Sequence, residues 1–183
     1  DAKLFESITS KNGNKALEYY KQESDSKTST VTLEENAKLI YNGKLETMSD
    51  ELLNIKDKSG NVVVLDTDRN GKYDIVFVNE TVNYVVEEAL TSTHKIVDKY
   101  GSKTLVLDPD DTNISFTIEK GSEFIGIENL KEWDVLTVTQ SKDGSFIHIE
   151  VSSEKVSGTV TEKDDEKVYI NGKGYKVAAN YPN

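Results

Sequence analysis

The segment VVVLDTDRNGKYDIVFV, residues 62–78, contains the features that decide the fold class of this chain. Two apolar runs rich in β-branched residues, 62–65 and 75–78, flank a polar stretch with acidic or amide side chains at its positions 1, 3, 5 and 9. Runs of this length and composition predict two strands. The stretch between them, 66–74, is either a polar hairpin turn or a loop that binds a cation.

The composition limits the classes of protein to which the chain can belong. It has 183 residues, of which 36% are hydrophobic and 30% charged, with a net charge of −11 and no cysteine. Nucleic acids and anionic membranes are bound through basic patches, so we expect neither as a partner. No apolar run approaches the ~18 residues that cross a bilayer, and the first residues lack the pattern of a signal peptide. We expect a cytoplasmic chain or the mature part of a secreted protein, without disulfides.

Short strands of about 4–7 residues are predicted along most of the chain, because β-branched and aromatic residues alternate with polar ones. Examples are 104–107, 115–118, 135–139, 146–151 and 167–170. Turn signals stand between strands at 12–14, 143–144 and 171–174. Only 44–53 and 127–133 are expected to form a turn or two of helix.

The sequence also repeats itself without gaps. Residues 7–19 align with 95–107 at an offset of 88, and residues 31–40 align with 116–125 at an offset of 85. A third, partial copy begins at Gly158. Its matches at an offset of 63 pair Val160, Val168, Ile170 and Asn171 with Val97, Leu105, Leu107 and Asp108. Three matches in the same order indicate an internal repeat.

We therefore predict an all-β fold of tandem small antiparallel barrel-like units of the OB or SH3-like type. Closure into a barrel is expected because it removes exposed strand edges. The first unit is predicted at 1–90 and the second at 91–153. Residues 154–183 either begin a third repeat or supply strands that complete an earlier unit.

The repeat also predicts where the acidic stretch lies. Residues 61–66 correspond to 134–139, and 75–78 correspond to 146–149, which are joined by the short hairpin segment QSKDGS. The acidic stretch is therefore expected at the tip of a β-hairpin that has been elaborated, not between two helices.

The spacing of oxygen-bearing residues in this stretch matches a calcium site. Ca²⁺ takes 6–8 oxygen ligands at roughly 2.3–2.6 Å, which alternate residues of a chain wrapping one point supply well. A glycine at position 6 allows the sharp turn. The predicted ligands are the side chains of Asp66, Asp68, Asn70 and Asp74 and the main-chain carbonyl of Lys72. Calcium is therefore the predicted cofactor.

The pattern D-x-D-x-N-G-x-x-D is not an EF-hand, because Phe77 stands where the bidentate acid at position 12 is required. Between two strands it resembles the calcium loops of integrin-type propeller repeats. A solvated turn is the alternative, since Asp, Asn and Gly favour turns unaided. A bound calcium is expected to be structural, because protein ligands saturate it and it neutralises three crowded carboxylates.

Other candidate sites are weaker. Residues 108–111, Asp-Pro-Asp-Asp, are expected to form a proline-started turn, with an accessory cation site as the alternative. Trp133 is expected to pack beside a strand, with a sugar-stacking platform as the alternative. His148 is expected to be a surface or satisfied histidine. The sequence has no nucleophile elbow, P-loop or dinucleotide-binding glycine signature, so we predict no enzyme.

Two segments, AKLIYNGK (37–44) and SGNVVVLDTDRNGKYDIVFVNETVNYVV (59–86), resemble a module of surface proteins of Clostridia and related Gram-positive bacteria. Those proteins often carry S-layer homology repeats elsewhere in the chain. Residues 156–181 are similar to the segment that follows the module, so the resemblance covers about two-thirds of this sequence. It implies a secreted, cell-wall or cell-surface location and a structural or binding role. The S-layer homology repeats themselves are absent here, so no residue is assigned to wall anchoring.

Two classes of function follow. The first is a non-enzymatic extracellular structural or assembly module that calcium stabilises, with other domains of the same surface protein or cell-envelope polymers as partners. The second is an ancillary carbohydrate-binding module of a secreted multidomain enzyme, which exposed coplanar aromatic side chains on one face would favour. A phage tail β-module would share the composition of either.

Overall fold

The computed structural model describes residues 1, 4–56, 58–101 and 104–177 of the chain. Residues 178–183 of the predicted third repeat therefore lie outside the described residues. The described part consists mainly of strands, with one short helix and two single 3-10 turns. The prediction of an all-β fold is confirmed.

The elements follow the chain in this order. The strands are β1 (Phe5–Lys11), β2 (Asn14–Tyr19), β3 (Ser29–Tyr41), β4 (Lys44–Glu46), β5 (Ser59–Leu65), β6 (Tyr73–Leu90), β7 (Lys95–Asp98), β8 (Thr104–Val106), β9 (Ser115–Lys120), β10 (Glu123–Phe124), β11 (Val135–Gln140), β12 (Phe146–Ser152), β13 (Val160–Lys163), β14 (Lys167–Ile170) and β15 (Lys173–Lys176). The helix α1 spans Asp50–Leu53, and the 3-10 turns span Thr91–Thr93 and Ile127–Asn129. Both segments in which the sequence predicts a helical turn contain one.

Asn-Gly pairs form the tight turns of three hairpins. They lie at 12–13 between β1 and β2, at 42–43 between β3 and β4, and at 171–172 between β14 and β15. In all three pairs both residues have positive φ. This is the type I′ turn, whose twist matches that of the flanking strands in a two-residue hairpin.

The chain divides into two compact units. The N-terminal unit contains residues 1–81 with 139–146, and the C-terminal unit contains residues 82–138 with the chain from 147 onward. The strand β6 contributes its first part to the N-terminal unit and its remainder to the C-terminal unit. Compactness and sequence repetition are different criteria for a boundary. The sequence-based bounds of 1–90, 91–153 and 154–183 stay a prediction.

In the N-terminal unit the strands pair in the order β1–β2–β3–β6. The strand β3 runs parallel to β6, while β4 and β5 pair antiparallel with β3 and β6. The side chain of Ser49 caps α1 by accepting a hydrogen bond from the Leu52 N–H at 3.3 Å, and α1 inserts Leu52 and Leu53 into the core. The buried core contains Phe5, Leu17, Leu33, Leu39, Leu52, Leu53, Ile55, Val76 and Val78.

In the C-terminal unit the second part of β6 pairs antiparallel with β7, which pairs with β8. The path β6–β11–β12–β9–β10 forms the larger part of its sheet. Its core contains Val86, Ile96, Leu105, Leu107, Ile118, Ile127, Leu130, Leu136, Val138, Ile147, Ile149 and Val151. The last three strands form a separate antiparallel sheet, β13–β14–β15, whose side chains are exposed or half-buried.

The predicted OB or SH3-like barrels are not seen, because the described strands form open sheets without a closed barrel. Strand length supplies a physical reason. The sequence predicts strands of about 4–7 residues, but β3 has 13 residues and β6 has 18. Along its length β6 pairs with β3 and β5 and then with β7, so its backbone groups are divided among several partners and do not close one barrel.

Candidate functional site

The acidic stretch lies at the tip of the β5–β6 hairpin, so this prediction is confirmed. The two strands pair antiparallel up to Leu65 and Ile75, the residues that flank the loop 66–74. Farther along β6, Val76 and Val78 are fully buried in the core of the N-terminal unit. The loop is therefore attached to a hairpin that the core holds in place.

Two of the predicted ligands, Asp66 and Asp68, converge on the backbone N–H of Asn70. The Asp66 carboxylate accepts hydrogen bonds from the N–H groups of Asn70 at 3.1 Å and Gly71 at 2.9 Å. The Asp68 carboxylate accepts from the N–H of Asn70 at 3.2 Å and from its side-chain amide at 2.9 Å. A carboxylate has about four lone-pair sites, so these bonds leave acceptor capacity for a cation.

The backbone conformation of the loop makes this convergence possible. Arg69 and Gly71 have φ values of 61° and 86°, so both residues adopt the left-handed backbone conformation. Glycine adopts this region without strain, which explains its place in the pattern. Lys72 lies in the same turn, and its N–H donates to Asn70 Oδ1 at 2.8 Å.

Asp74, the last predicted ligand, bonds to the opposite end of the loop. Its Oδ1 accepts from the Thr67 N–H at 3.0 Å, and its Oδ2 accepts from the Thr67 hydroxyl. These hydrogen bonds, with a smaller contribution from the charge of Lys38, hold the pKa of Asp74 below its ordinary value. Asp74 is therefore an anion at neutral pH.

Sequence reasoning missed one acidic residue at the loop, Glu34 on β3. The Asn70 side-chain amide donates to Glu34 Oε1 at 2.5 Å. The parallel pairing of β3 with β6, which aligns Leu33 with Tyr73, brings Glu34 to this position. A motif search along the chain does not reach a residue 36 positions away, so no local signal marks it.

The donor set fits a hard cation such as Ca²⁺, because the predicted ligands are three carboxylates, one amide oxygen and one main-chain carbonyl. Within residues 1, 4–56, 58–101 and 104–177, no group of three or more His, Cys, Asp and Glu side chains is arranged so that it could hold a metal ion. In this arrangement the carboxylates of the loop bond to its own N–H and O–H groups. The present geometry holds the loop through hydrogen bonds, and the calcium site stays a prediction.

The acidic segment 108–111 forms the predicted turn. The N–H of Asp110 donates to Asp108 Oδ1 at 3.0 Å, and the N–H of Asp111 donates to the Asp108 carbonyl at 3.2 Å. Asp108 Oδ1 also lies 3.3 Å from His94 Nδ1. His148 is half-buried and shares a 2.8 Å hydrogen bond with the Thr117 hydroxyl, as expected for a satisfied histidine.

Trp133 does not pack beside a core strand, so that expectation is wrong. Its side chain is 46% exposed, and the ring of Tyr100, which is 38% exposed, lies 6.4 Å away between centroids. The two ring planes are inclined by 58°. The two rings are therefore not coplanar and do not form one flat platform.

In comparisons with known protein families, curated proteins and solved structures, nothing matches this chain. No helix in the described residues is long and apolar enough to cross a membrane. The chemistry of the loop and the architecture around it therefore carry the functional argument.

Proposed function

We propose that the chain is a non-enzymatic extracellular structural or assembly module of a bacterial cell-surface protein, and that calcium bound by the loop 66–74 stabilises it. The observation that carries the proposal is the convergence of Asp66 and Asp68 on the backbone of Asn70 at a hairpin tip. This arrangement concentrates negative charge at one point of a strand pair, where a cation relieves the repulsion.

The position of the loop supports a structural role for the ion. Asp66, Asp68, Asn70, Lys72 (through its carbonyl) and Asp74 would hold the cation, which supplies charge neutralisation and a fixed centre for the loop. The loop joins β5 to β6, and the Asn70 amide also bonds to Glu34 on β3. Ordering the loop therefore reinforces three strands of the N-terminal unit.

Repetition of a folding pattern supports an assembly role. The hairpin β1–β2 pairs Ile8 with Leu17, and the hairpin β7–β8 pairs Ile96 with Leu105, which is the same register at the sequence offset of 88. The elements that follow are alike in both units. A strand with a short antiparallel partner comes first, then a helical turn, and then a second hairpin. Repeated units lengthen a protein by using the same fold several times, as structural proteins do.

The buried positions support the same tandem arrangement. Leu33 and Ile118, which align at the offset of 85, are 1% and 2% exposed. Val76 and Ile147 align in the second hairpins and are 0% and 2% exposed. Burial at positions that align in the predicted repeat therefore supports the tandem arrangement.

Thermal unfolding with calcium and with a chelator tests the calcium part of the proposal. Millimolar calcium is expected to raise the melting temperature of the wild-type chain, since an ion that binds only the folded state stabilises it. The double variant Asp66→Ala with Asp68→Ala is expected to lose this increase. The double variant Glu154→Ala with Asp165→Ala removes two exposed carboxylates elsewhere and is expected to keep it. Identical wild-type melting curves with calcium and with chelator would refute the site.

Protease treatment of intact cells tests the location. A chain displayed on the outer surface is expected to be cleaved by added protease while a cytoplasmic marker survives. Complete protection of the chain in intact cells, followed by cleavage after lysis, would contradict the extracellular assignment.

A further inference from the structure

The tryptophan of the C-terminal unit stands on a strained turn. Trp133 is the third residue of the turn 131–134, which the hydrogen bond from the Asp134 N–H to the Lys131 carbonyl closes at 3.0 Å. Its φ is 74°, a value for which glycine is the usual residue at this turn position. For a bulky side chain such a φ is an outlier of the kind that clusters at binding sites.

The backbone around this turn is held firmly. The Trp133 N–H donates to the Val86 carbonyl at 2.9 Å, and the Val86 N–H donates to the Asp134 carbonyl at 2.9 Å. Val86 and the side chain of Asp134 are both buried. The strain is not offset by packing of the indole, however, because nearly half of the Trp133 side chain is exposed. The backbone that carries the half-exposed indole is therefore held in place.

The neighbours of the ring are of the types that bind a polar ligand with apolar faces. The Tyr100 ring stands beside it at an inclination of 58°. The Lys99 ammonium lies 4.1 Å from the Trp133 ring centroid and bonds to Glu132 at 2.7 Å. One exposed indole, a second aromatic wall and a pair of charged groups therefore occupy one patch of the C-terminal unit.

We propose that this aromatic patch, Trp133 with Tyr100, Lys99 and Glu132, binds an uncharged β-1,4-linked polysaccharide. A pyranose ring with equatorial substituents presents a face of C–H groups that stacks on the indole face away from the Lys99 ammonium, while its hydroxyls bond to the Glu132 carboxylate. The inclination of Tyr100 fits one stacked sugar with the second ring as a side wall. An anionic polymer is disfavoured, because the chain carries a net charge of −11.

This proposal is independent of the calcium site, which lies in the N-terminal unit. A negative result for one of the two proposals would therefore not contradict the other.

Fluorescence provides the first test, since Trp133 is the sole tryptophan of the chain. Cellohexaose and chitohexaose are titrated separately into the full chain while the indole emission is followed. A saturable change in emission with at least one of the two is expected. No saturable change with either sugar up to millimolar concentrations would overturn the proposal.

Variants separate binding from folding. Trp133→Gly suits the backbone conformation, so it is expected to keep or raise the melting temperature and to weaken binding at least tenfold in calorimetric titration. Tyr100→Ala is expected to weaken binding several-fold. Phe124→Ala removes an aromatic side chain that is 75% exposed on β10, and it serves as the matched control with unchanged affinity.

Two results would overturn the site even if a sugar binds. The first is a Trp133→Gly variant that binds the sugar as tightly as the wild type. The second is a Phe124→Ala variant that loses as much affinity as Trp133→Gly, which would indicate unspecific contact with exposed aromatic residues.

Discussion

The side-chain amide of Asn42 pairs with the backbone of Glu80 through two hydrogen bonds. Asn42 Oδ1 accepts from the Glu80 N–H at 2.8 Å, and Asn42 Nδ2 donates to the Glu80 carbonyl at 3.1 Å. The same Nδ2 donates to the Gln140 carbonyl at 2.6 Å. Asn42 is only 3% exposed, so one turn residue satisfies main-chain groups of both β6 and β11 in the N-terminal unit.

Replacing this asparagine is expected to destabilise the N-terminal unit strongly. Asn42→Ala leaves three main-chain groups without their partner and places alanine at a φ of 45°. We expect the free energy of unfolding to fall by about 3 kcal/mol. Asn12→Ala is the matched control, because Asn12 occupies the same kind of turn but is exposed. Equal losses in urea unfolding of the two variants would contradict this role of the Asn42 side chain.

Glu34 is expected to strengthen calcium binding at the loop. Glu34→Gln removes a negative charge beside Asn70 and is expected to weaken calcium binding several-fold in calorimetric titration. Glu35→Gln makes the same change in charge at the next, exposed position and should leave the affinity close to that of the wild type. Equal affinities of the two variants would show that Glu34 does not act on the ion.

Asp134 is expected to make stability depend on pH. Its carboxylate is buried and accepts hydrogen bonds from the Ser153 hydroxyl at 2.6 Å, the Lys131 N–H at 3.1 Å and the Lys120 ammonium at 3.1 Å. Burial alone would raise the pKa of Asp134, but the bonds from Ser153, Lys120 and Lys131 lower it below its ordinary value.

The sign of the pH dependence follows from this direction. A carboxyl whose pKa is lower in the folded chain than its unfolded value, about 3.9, adds stability above that pH and loses it as the pH falls through the folded pKa. Asp134→Asn should therefore be less stable than the wild type at neutral pH, and the difference should shrink at about pH 3. Urea unfolding at both pH values measures it, and a difference that stays constant would contradict the prediction.

Gly60 is expected to tolerate no side chain. Its φ is 135°, and a Cβ built on it would lie 1.9 Å from the Asn79 carbonyl oxygen. Gly60→Ala is expected to lower the free energy of unfolding by roughly 3 kcal/mol or more, since the β5–β6 hairpin must shift. Gly13→Ala, where a Cβ has open space, should lose only about 1 kcal/mol through backbone strain. A loss at Gly60 no larger than that at Gly13 in thermal unfolding would contradict the clash.

Much of the local structure could be predicted from the sequence alone. The alternation of residues predicted the strands, and the turn signals at 12–14 and 171–174 predicted hairpins that form with positive φ at both central residues. The hairpin tip at 66–74 is predicted from the repeat, which aligns its flanking strands with 134–139 and 146–149. These features depend on residues close together in the chain, so neighbouring side chains and backbone preferences are sufficient to specify them.

Only the tertiary structure decided the features that join distant parts of the chain. The pairing of β3 with β6 brings Glu34 to Asn70, and the burial of Asn42 depends on groups at Glu80 and Gln140. The exposure of Trp133 likewise depends on the turn that Val86 holds. No local pattern encodes which strands become neighbours, because strand pairing depends on contacts between residues that are far apart in the sequence. The sequence by itself therefore determined the strands and the composition of the acidic loop, while strand pairing decided what surrounds them.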